Sequence, residues 1–169
     1  IDECRAGVFT INDQAGHPAG FPSAIYMGEG AVCQTLWDAN SVLAELKAKT
    51  VPYPESLKQA VFRQMAWQVD FCLQLARGTL QRGDAYYIHA LFVRALTCLV
   101  QTLFTLNEQW LLNEKGSVAI AARFERAPEQ LAERVNALFA ALPMNAGSAC
   151  DQLAELNGEV RALWEHTNW

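Results

Sequence analysis

Three histidines, His17, His89 and His166, are the first residues to weigh for proton transfer or metal binding. They fall in three separate stretches, with no H-E-x-x-H and no carboxylate at ligand spacing beside them, so no metal site is expected within this chain. A phosphate-cradling G-x-x-x-x-G-K-[ST] loop, a strand-borne G-x-G-x-x-G and a nucleophile elbow G-x-S-x-G are also missing. One pair is better spaced. Arg82 and His89 stand seven residues apart at the start of a helical stretch, hence two turns apart on nearly one face. A guanidinium that holds a phosphate and an imidazole that moves a proton would suit RNA cleavage. The alternative is a solvated Arg82 and a His89 packed against a neighbouring helix.

A second set of polar groups lies inside apolar sequence. Asp84 to Leu112 reads as one long helix, with Ile88, Phe92, Ala95, Leu99, Leu103 and Leu106 recurring every three or four residues. Leu91, Leu96, Cys98 and Val100 fill the adjoining faces, so this helix needs partners nearly all round and is expected to be the central post of a bundle. Arg94, Thr97, Gln101, Thr105 and Glu108 fall on a single stripe of it. That stripe is either a solvated seam or one wall of a cleft.

The elements that must position these groups are mostly helical. Asp38 or Asn40 caps a helix over Ser41 to Lys49, which Pro52 and Pro54 stop. A second helix runs from Glu55 to Arg77 with Leu57, Val61, Met65, Val69, Cys72 and Ala76 as its apolar stripe and Gly78 as its C-terminal cap. Asp84 is a good N-cap for the central helix, so the two form an antiparallel hairpin. After a polar corner at Asn113 to Gly116 come a short helix over Val118 to Phe124 and a longer one opened by Pro128, with Leu131, Val135, Leu138, Phe139 and Leu142 on one face. Pro143 to Gly147 break it. The last helix starts near Ser148 and uses Leu153, Leu156, Val160, Leu163 and Trp164. The expected fold is mainly α: an up-and-down bundle of four main helices with short ones added, over residues 38–169.

Residues 1–37 have another texture. They hold five of the ten glycines, and the β-type runs Val8 to Ile11 and Ala24 to Met27 are separated by turns at Asp13 to Gly20 and Gly28 to Gly30. So few strands cannot close a sheet alone. The segment is read either as a β flap on the helices or as the trailing edge of a preceding α/β half, in a chain that begins at Ile1 without a methionine.

Composition narrows the classes. A length of 169 residues suits one domain with a real core. The net charge of −5 and scattered basic residues argue against general affinity for nucleic acid or anionic membrane. Five cysteines without C-x-x-C spacing read as buried free thiols in a reducing cytoplasm. No uninterrupted apolar run of about 18 residues and no basic-then-apolar leader occurs, so neither a membrane span nor a signal peptide is expected.

The spacing R-x6-H of Arg82 and His89 resembles the motif of HEPN ribonucleases, which are small helical bundles. A longer ordered set points elsewhere: Tyr53-Pro54, then Arg82-Gly83-Asp84-Ala85-Tyr86-Tyr87, then Leu106-Asn107-Glu108, then Asn113-Glu114-Lys115-Gly116. This order resembles the helical C-terminal half of polymerase-β-type nucleotidyltransferases, with kanamycin-nucleotidyltransferase-like proteins as remoter analogues. It covers residues 38 to 142.

The resemblance implies a two-part enzyme. An N-terminal α/β half carries Gly-Ser and Asp-x-Asp, whose carboxylates hold two Mg2+ ions with the nucleoside triphosphate; the helical half binds the nucleotide or an unknown acceptor. This chain departs from the pattern, because Gly116-Ser117 and Gly147-Ser148 lie in helical sequence with no Asp-x-Asp after them. No catalytic residue and no bound cofactor are therefore expected here, and the missing half is the implied partner. Asp2 or Glu3 would be a last strand carboxylate of that half. Asn107, Glu108, Glu114 and Lys115 are carried over to the cleft, with Tyr87 and Arg94 behind them. Asn107 is an amide in an apolar turn and must find a partner if buried, and Lys115 suits a triphosphate as a point charge. Their alternatives are a backbone contact for Asn107 and an ordinary solvated corner for Glu114 and Lys115. A third reading is a helical module that forms homodimers through the last helix, where Trp164 and Trp169 sit close in sequence.

Overall fold

The architecture comes from a computed structural model, which describes residues 1–12 and 20–166. Of the turn expected at Asp13 to Gly20, all but Gly20 lies outside the described residues, as do His17 and Trp169. In chain order come α1 (Asp2–Arg5), β1 (Ile11–Asn12), β2 (Phe21–Pro22), α2 (Ile25–Val32), α3 (Val42–Ala48), α4 (Glu55–Thr79) and α5 (Ala85–Leu106). Then follow α6 (Ser117–Ala121), α7 (Leu131–Ala141) and α8 (Ala146–Glu165). The four long helices α4, α5, α7 and α8 are the expected bundle, with α4 and α5 as its antiparallel hairpin and α8 packed on both.

The helical period of the apolar residues determines the core. On α4, Leu57, Val61, Met65, Val69, Cys72 and Ala76 are all buried; on α5, so are Ile88, Phe92, Ala95, Leu99, Leu103 and Leu106. Helix α5 is long and apolar enough to cross a membrane by length and composition, but most of it is enclosed by its neighbours, as befits a central post. Leu131, Val135 and Leu138 of α7 meet Leu153, Leu156 and Val160 of α8 in the same core. Trp164, expected at a dimer face, is instead buried and stacks on Phe62 of α4 at 3.9 Å between ring centroids.

Caps set the boundaries, and two differ from expectation. Helix α4 runs through Gly78 to Thr79 and passes into a 3-10 turn, Leu80–Arg82. Gly83, at φ +64, makes the left-handed exit instead. Asp84 then caps α5 by accepting the Tyr87 N–H at 3.0 Å. Helix α5 stops at Leu106, six residues short of Leu112. Its end is a Schellman closure: Glu108 N–H donates to the Thr105 carbonyl and Gln109 N–H to that of Phe104, with Glu108 at φ +55. Apolar composition continues through Trp110 to Leu112, but the backbone has already turned.

The N-terminal segment is more helical than its glycines suggest. β1 and β2 pair antiparallel, Ile11 with Pro22 and Asn12 with Phe21, in a two-stranded sheet. Ala24 to Met27, expected as a strand, opens α2, and Gly28 and Gly30 lie inside that helix. Gly28 serves a close approach: a Cβ there would stand 2.6 Å from Leu112 Cδ2 and 2.7 Å from Trp110 Cβ. Asp2 and Glu3 belong to α1 and not to a strand, and Asp2 pairs with Lys49 at 3.0 Å.

Candidate functional site

The stripe on α5 divides at Gln101. Arg94, Thr97 and Gln101, with Cys98 beside them, form one wall of a narrow cleft. Met65 and Gln68 of α4 extend that wall, and the β1–β2 hairpin, through Ile11, Gly20, Phe21 and Pro22, covers it from the other side. Leu111 to Glu114 close the third side. The space left is slight, about 30 Å³, room for little more than a water molecule. Beyond Gln101 the stripe turns inward, with Thr105 fully buried between Gln101 Nε2, at 3.5 Å, and the Tyr53 hydroxyl, at 3.4 Å.

Polar groups in this cleft are held in specific orientations. Arg94 Nε donates to Gln68 Oε1 at 2.9 Å, which fixes the guanidinium plane across the α4–α5 seam. No carboxylate pairs with Arg94 among the described residues. Glu114 stands exposed at the mouth, and Asn113 Oδ1 tightens the corner by accepting the Lys115 N–H at 2.9 Å. Cys98 faces the floor, where burial pushes its thiol up to about 12. It is a packed, protonated group and no nucleophile at neutral pH. All five cysteines, Cys4, Cys33, Cys72, Cys98 and Cys150, are free thiols.

Of the residues proposed from sequence, the fold brings Arg94 and Glu114 together at this cleft, twenty positions apart in the chain. Lys115 is exposed on the same corner but does not line the cleft. Asn107 is occupied by backbone: Nδ2 donates to the carbonyls of Leu103 at 2.8 Å and Arg126 at 2.9 Å, and Oδ1 accepts the Arg126 N–H at 3.1 Å. It ties the end of α5 to the chain entering α7. Glu108 pairs with Lys58 at 2.6 Å, away from the cleft. Tyr87 lines a shallow depression with Arg82 at the other end of the hairpin, about 10 Å along α5 from Arg94.

His89 does not share that depression. Its Nδ1 lies 2.6 Å from the Ala85 carbonyl of its own helix, so one ring nitrogen is engaged locally and no hydrogen bond joins it to Arg82. The fold therefore does not assemble the arginine–histidine pair into one site.

Lys58 and Gln68 are the seam and cleft residues that sequence reasoning passed over. Lys58 carried a usable signal, since a lysine next to Leu57 on an apolar face must find a carboxylate when buried. Tyr53, by contrast, shows what the Tyr-Pro motif does: its ring stacks on Trp110 at 4.3 Å and holds the start of α4 against the segment leaving α5. Burial raises its hydroxyl to about 12.

Among the described residues no group of three or more His, Cys, Asp or Glu side chains could hold a metal ion. The cleft offers one carboxylate, Glu114, beside one guanidinium, which does not fit a divalent cation.

No curated protein and no solved structure matches the chain. One family does, over residues 27–115, from α2 through α3, α4 and α5 to the corner at Glu114 and Lys115. That segment holds two of the cleft's three sides, the α4–α5 wall and Leu111 to Glu114, whereas α1, the β1–β2 cover and helices α6 to α8 lie outside it. The match spans more than half of the sequence, and the chain belongs to the family described as a domain of unknown function, DUF4037.

Proposed function

We propose that this chain is the substrate-binding helical part of a nucleotidyltransferase, acting with a catalytic α/β half that carries Gly-Ser and Asp-x-Asp. The observation that carries the reading is the meeting of Arg94 and Glu114 at one cleft, because the resemblance had carried Glu114 over to the cleft and placed Arg94 behind it. In this reading the partner half holds Mg2+ and the triphosphate, and the metal supplies activation of the acceptor hydroxyl there. Arg94, braced by Gln68, would bind an anionic or carbonyl oxygen of the nucleotide or acceptor, and Glu114 would accept from a hydroxyl. Lys115 would reach outward from the same corner towards phosphate. The transfer would move a nucleoside monophosphate to a hydroxyl of a small molecule, protein or RNA. The free thiols fit a reducing compartment, so cytoplasmic action belongs to the same proposal.

The test is the intact mass of the native protein from its source cells, with its upstream peptides sequenced. A mass well above 18.7 kDa with Gly-Ser and Asp-x-Asp upstream is expected. Transfer from labelled triphosphate should then fall at least tenfold in Arg94→Ala. A native chain whose upstream sequence lacks both motifs overturns the proposal.

A further inference from the structure

Exposure falls along the cleft stripe of α5: Arg94 is exposed, Thr97 half-buried and Gln101 only 6% exposed. Gln101 therefore stands at the inner end, about 10 Å along the helix from Arg94. Between them, Thr97 donates its hydroxyl to the Val93 carbonyl of its own helix at 2.9 Å. Gln101 is engaged at one end of its amide only. Nε2 donates to Thr105 Oγ1 at 3.5 Å, and the Tyr53 hydroxyl meets the same oxygen at 3.4 Å. Oε1 has no hydrogen-bond partner among the described residues. Nor is it sealed in. Among the described residues no buried side-chain nitrogen or oxygen is both enclosed and unpartnered, so this oxygen opens into the cleft that Gln101 lines.

An amide oxygen set among apolar side chains such as Met65, Phe21 and Leu111 needs a donor. We propose that Gln101 Oε1 receives a neutral N–H or O–H of the substrate, which makes Gln101 a specificity-determining residue of the cleft. The inference rests on the reading of this cleft as the substrate side. The chemistry of the ligand follows from the surroundings of the oxygen. A carbonyl oxygen only accepts, so the ligand must donate. The free space of about 30 Å³ admits a terminal amino or hydroxyl group, with the rest of the ligand extending towards Arg94. An ammonium is excluded at the inner end, because the one carboxylate lining the cleft among the described residues is Glu114, exposed at the mouth. The ring amino group of a nucleoside and the hydroxyl of an alcohol acceptor share this chemistry.

NMR titration of the isotope-labelled full chain tests this with matched probes that differ in the donor. One pair is adenosine and purine riboside, which lacks the amino group; the other is n-butanol and butanone, whose oxygen only accepts. In at least one pair the donor-bearing member should bind about fivefold more tightly, the worth of one hydrogen bond. The preference should vanish in Gln101→Leu and in Gln101→Met, which keeps an unbranched side chain; circular dichroism checks that each variant is folded. A preference in the adenosine pair alone assigns the donor to a base amino group, and one in the butanol pair alone assigns it to an acceptor alcohol. No preference in either pair, tighter binding of butanone than of butanol, or a preference that survives in either folded variant overturns the proposal. Binding is read here without turnover. An upstream sequence lacking Gly-Ser and Asp-x-Asp would therefore remove the transferase reading and leave the Gln101 result standing.

Discussion

Lys58 on α4 and Glu108 beyond the end of α5 are fifty positions apart in sequence and 2.6 Å apart in the fold. Lys58 is 3% exposed, whereas the Glu108 side chain is half exposed. The two ends of the pair therefore answer differently to mutation. Removing Glu108 takes from a buried ammonium its partner at 2.6 Å, and the ion pair with Glu55, at 3.8 Å, is longer. Removing Lys58 leaves a carboxylate that water can reach. Glu108→Ala should cost about 2–3 kcal/mol and Lys58→Met about 1 kcal/mol in urea unfolding. Glu108→Gly should recover about 1 kcal/mol relative to Glu108→Ala, because φ +55 suits glycine. A Lys58→Met variant less stable than Glu108→Ala would show that this account of the pair is wrong.

Asn107 is expected to be structural. Three hydrogen bonds to backbone groups of Leu103 and Arg126 occupy its amide, and a truncated side chain strands all three. Asn107→Ala should lower stability by about 2–3 kcal/mol. Arg94→Ala, on an exposed side chain with one hydrogen bond, should stay within about 0.5 kcal/mol of wild type. Thermal unfolding of the two variants side by side separates bundle residue from cleft residue, and a reversed order would refute the assignment.

The helical half of this architecture was legible because its residues interact with neighbours three and four positions away. The buried stripes of α4 and α5 are those that the period names, and Asp84 caps where a cap residue was expected. The end of α5 was not legible, since its left-handed closure uses Glu108 where glycine is the usual mark. Gly28 and Gly30 were read as a turn for the same reason: composition reports that Cβ is absent, not whether a turn or a tight contact requires it. At the cleft, the stripe from Arg94 to Gln101 was visible as a face of one helix. Its cover by Phe21 and Pro22, and the Gln68 brace, depend on long-range packing that no local pattern encodes. The Arg82–His89 spacing was real in sequence, yet the His89 ring turned to its own helix.

Alkaline pH should destabilise the bundle through two buried groups. Burial raises Cys98 from 9.0 to about 12, and burial also raises Tyr53 from 10.0 to about 12, against a smaller lowering by its Thr105 contact. Each stays neutral in the fold at a pH where the unfolded chain has ionised. Their contribution is therefore full below the unfolded values and is lost as pH rises through the interval towards 12. Melting temperature should be flat up to about pH 8.5 and then fall steadily. Cys98→Ala should make that fall shallower, though it starts from a lower melting temperature because a buried sulfur is lost. An unchanged slope in this variant would exclude Cys98 as a source.

Gly28 and Gly30 lie on the same helix, two positions apart, and should respond to alanine with opposite signs. Both have helical backbone, so both would gain about 0.5–1 kcal/mol from the reduced freedom of the unfolded chain. At Gly30 nothing stands within 4 Å of an added Cβ, and that gain should appear in full. At Gly28 the methyl would meet Leu112 Cδ2 at 2.6 Å and Trp110 Cβ at 2.7 Å. The leucine terminus can rotate away, but the Trp110 Cβ is fixed to its backbone and its ring is stacked on Tyr53. Helix α2 would have to move from the segment that also carries the cleft residues Leu111 to Glu114. Overpacking of this kind costs about 1–3 kcal/mol, more than the entropic gain, so Gly28→Ala should be destabilising in urea unfolding while Gly30→Ala is stabilising. Equal effects at the two positions would mean that α2 does not rest on Trp110, and the close approach would lose its role in shaping the cleft.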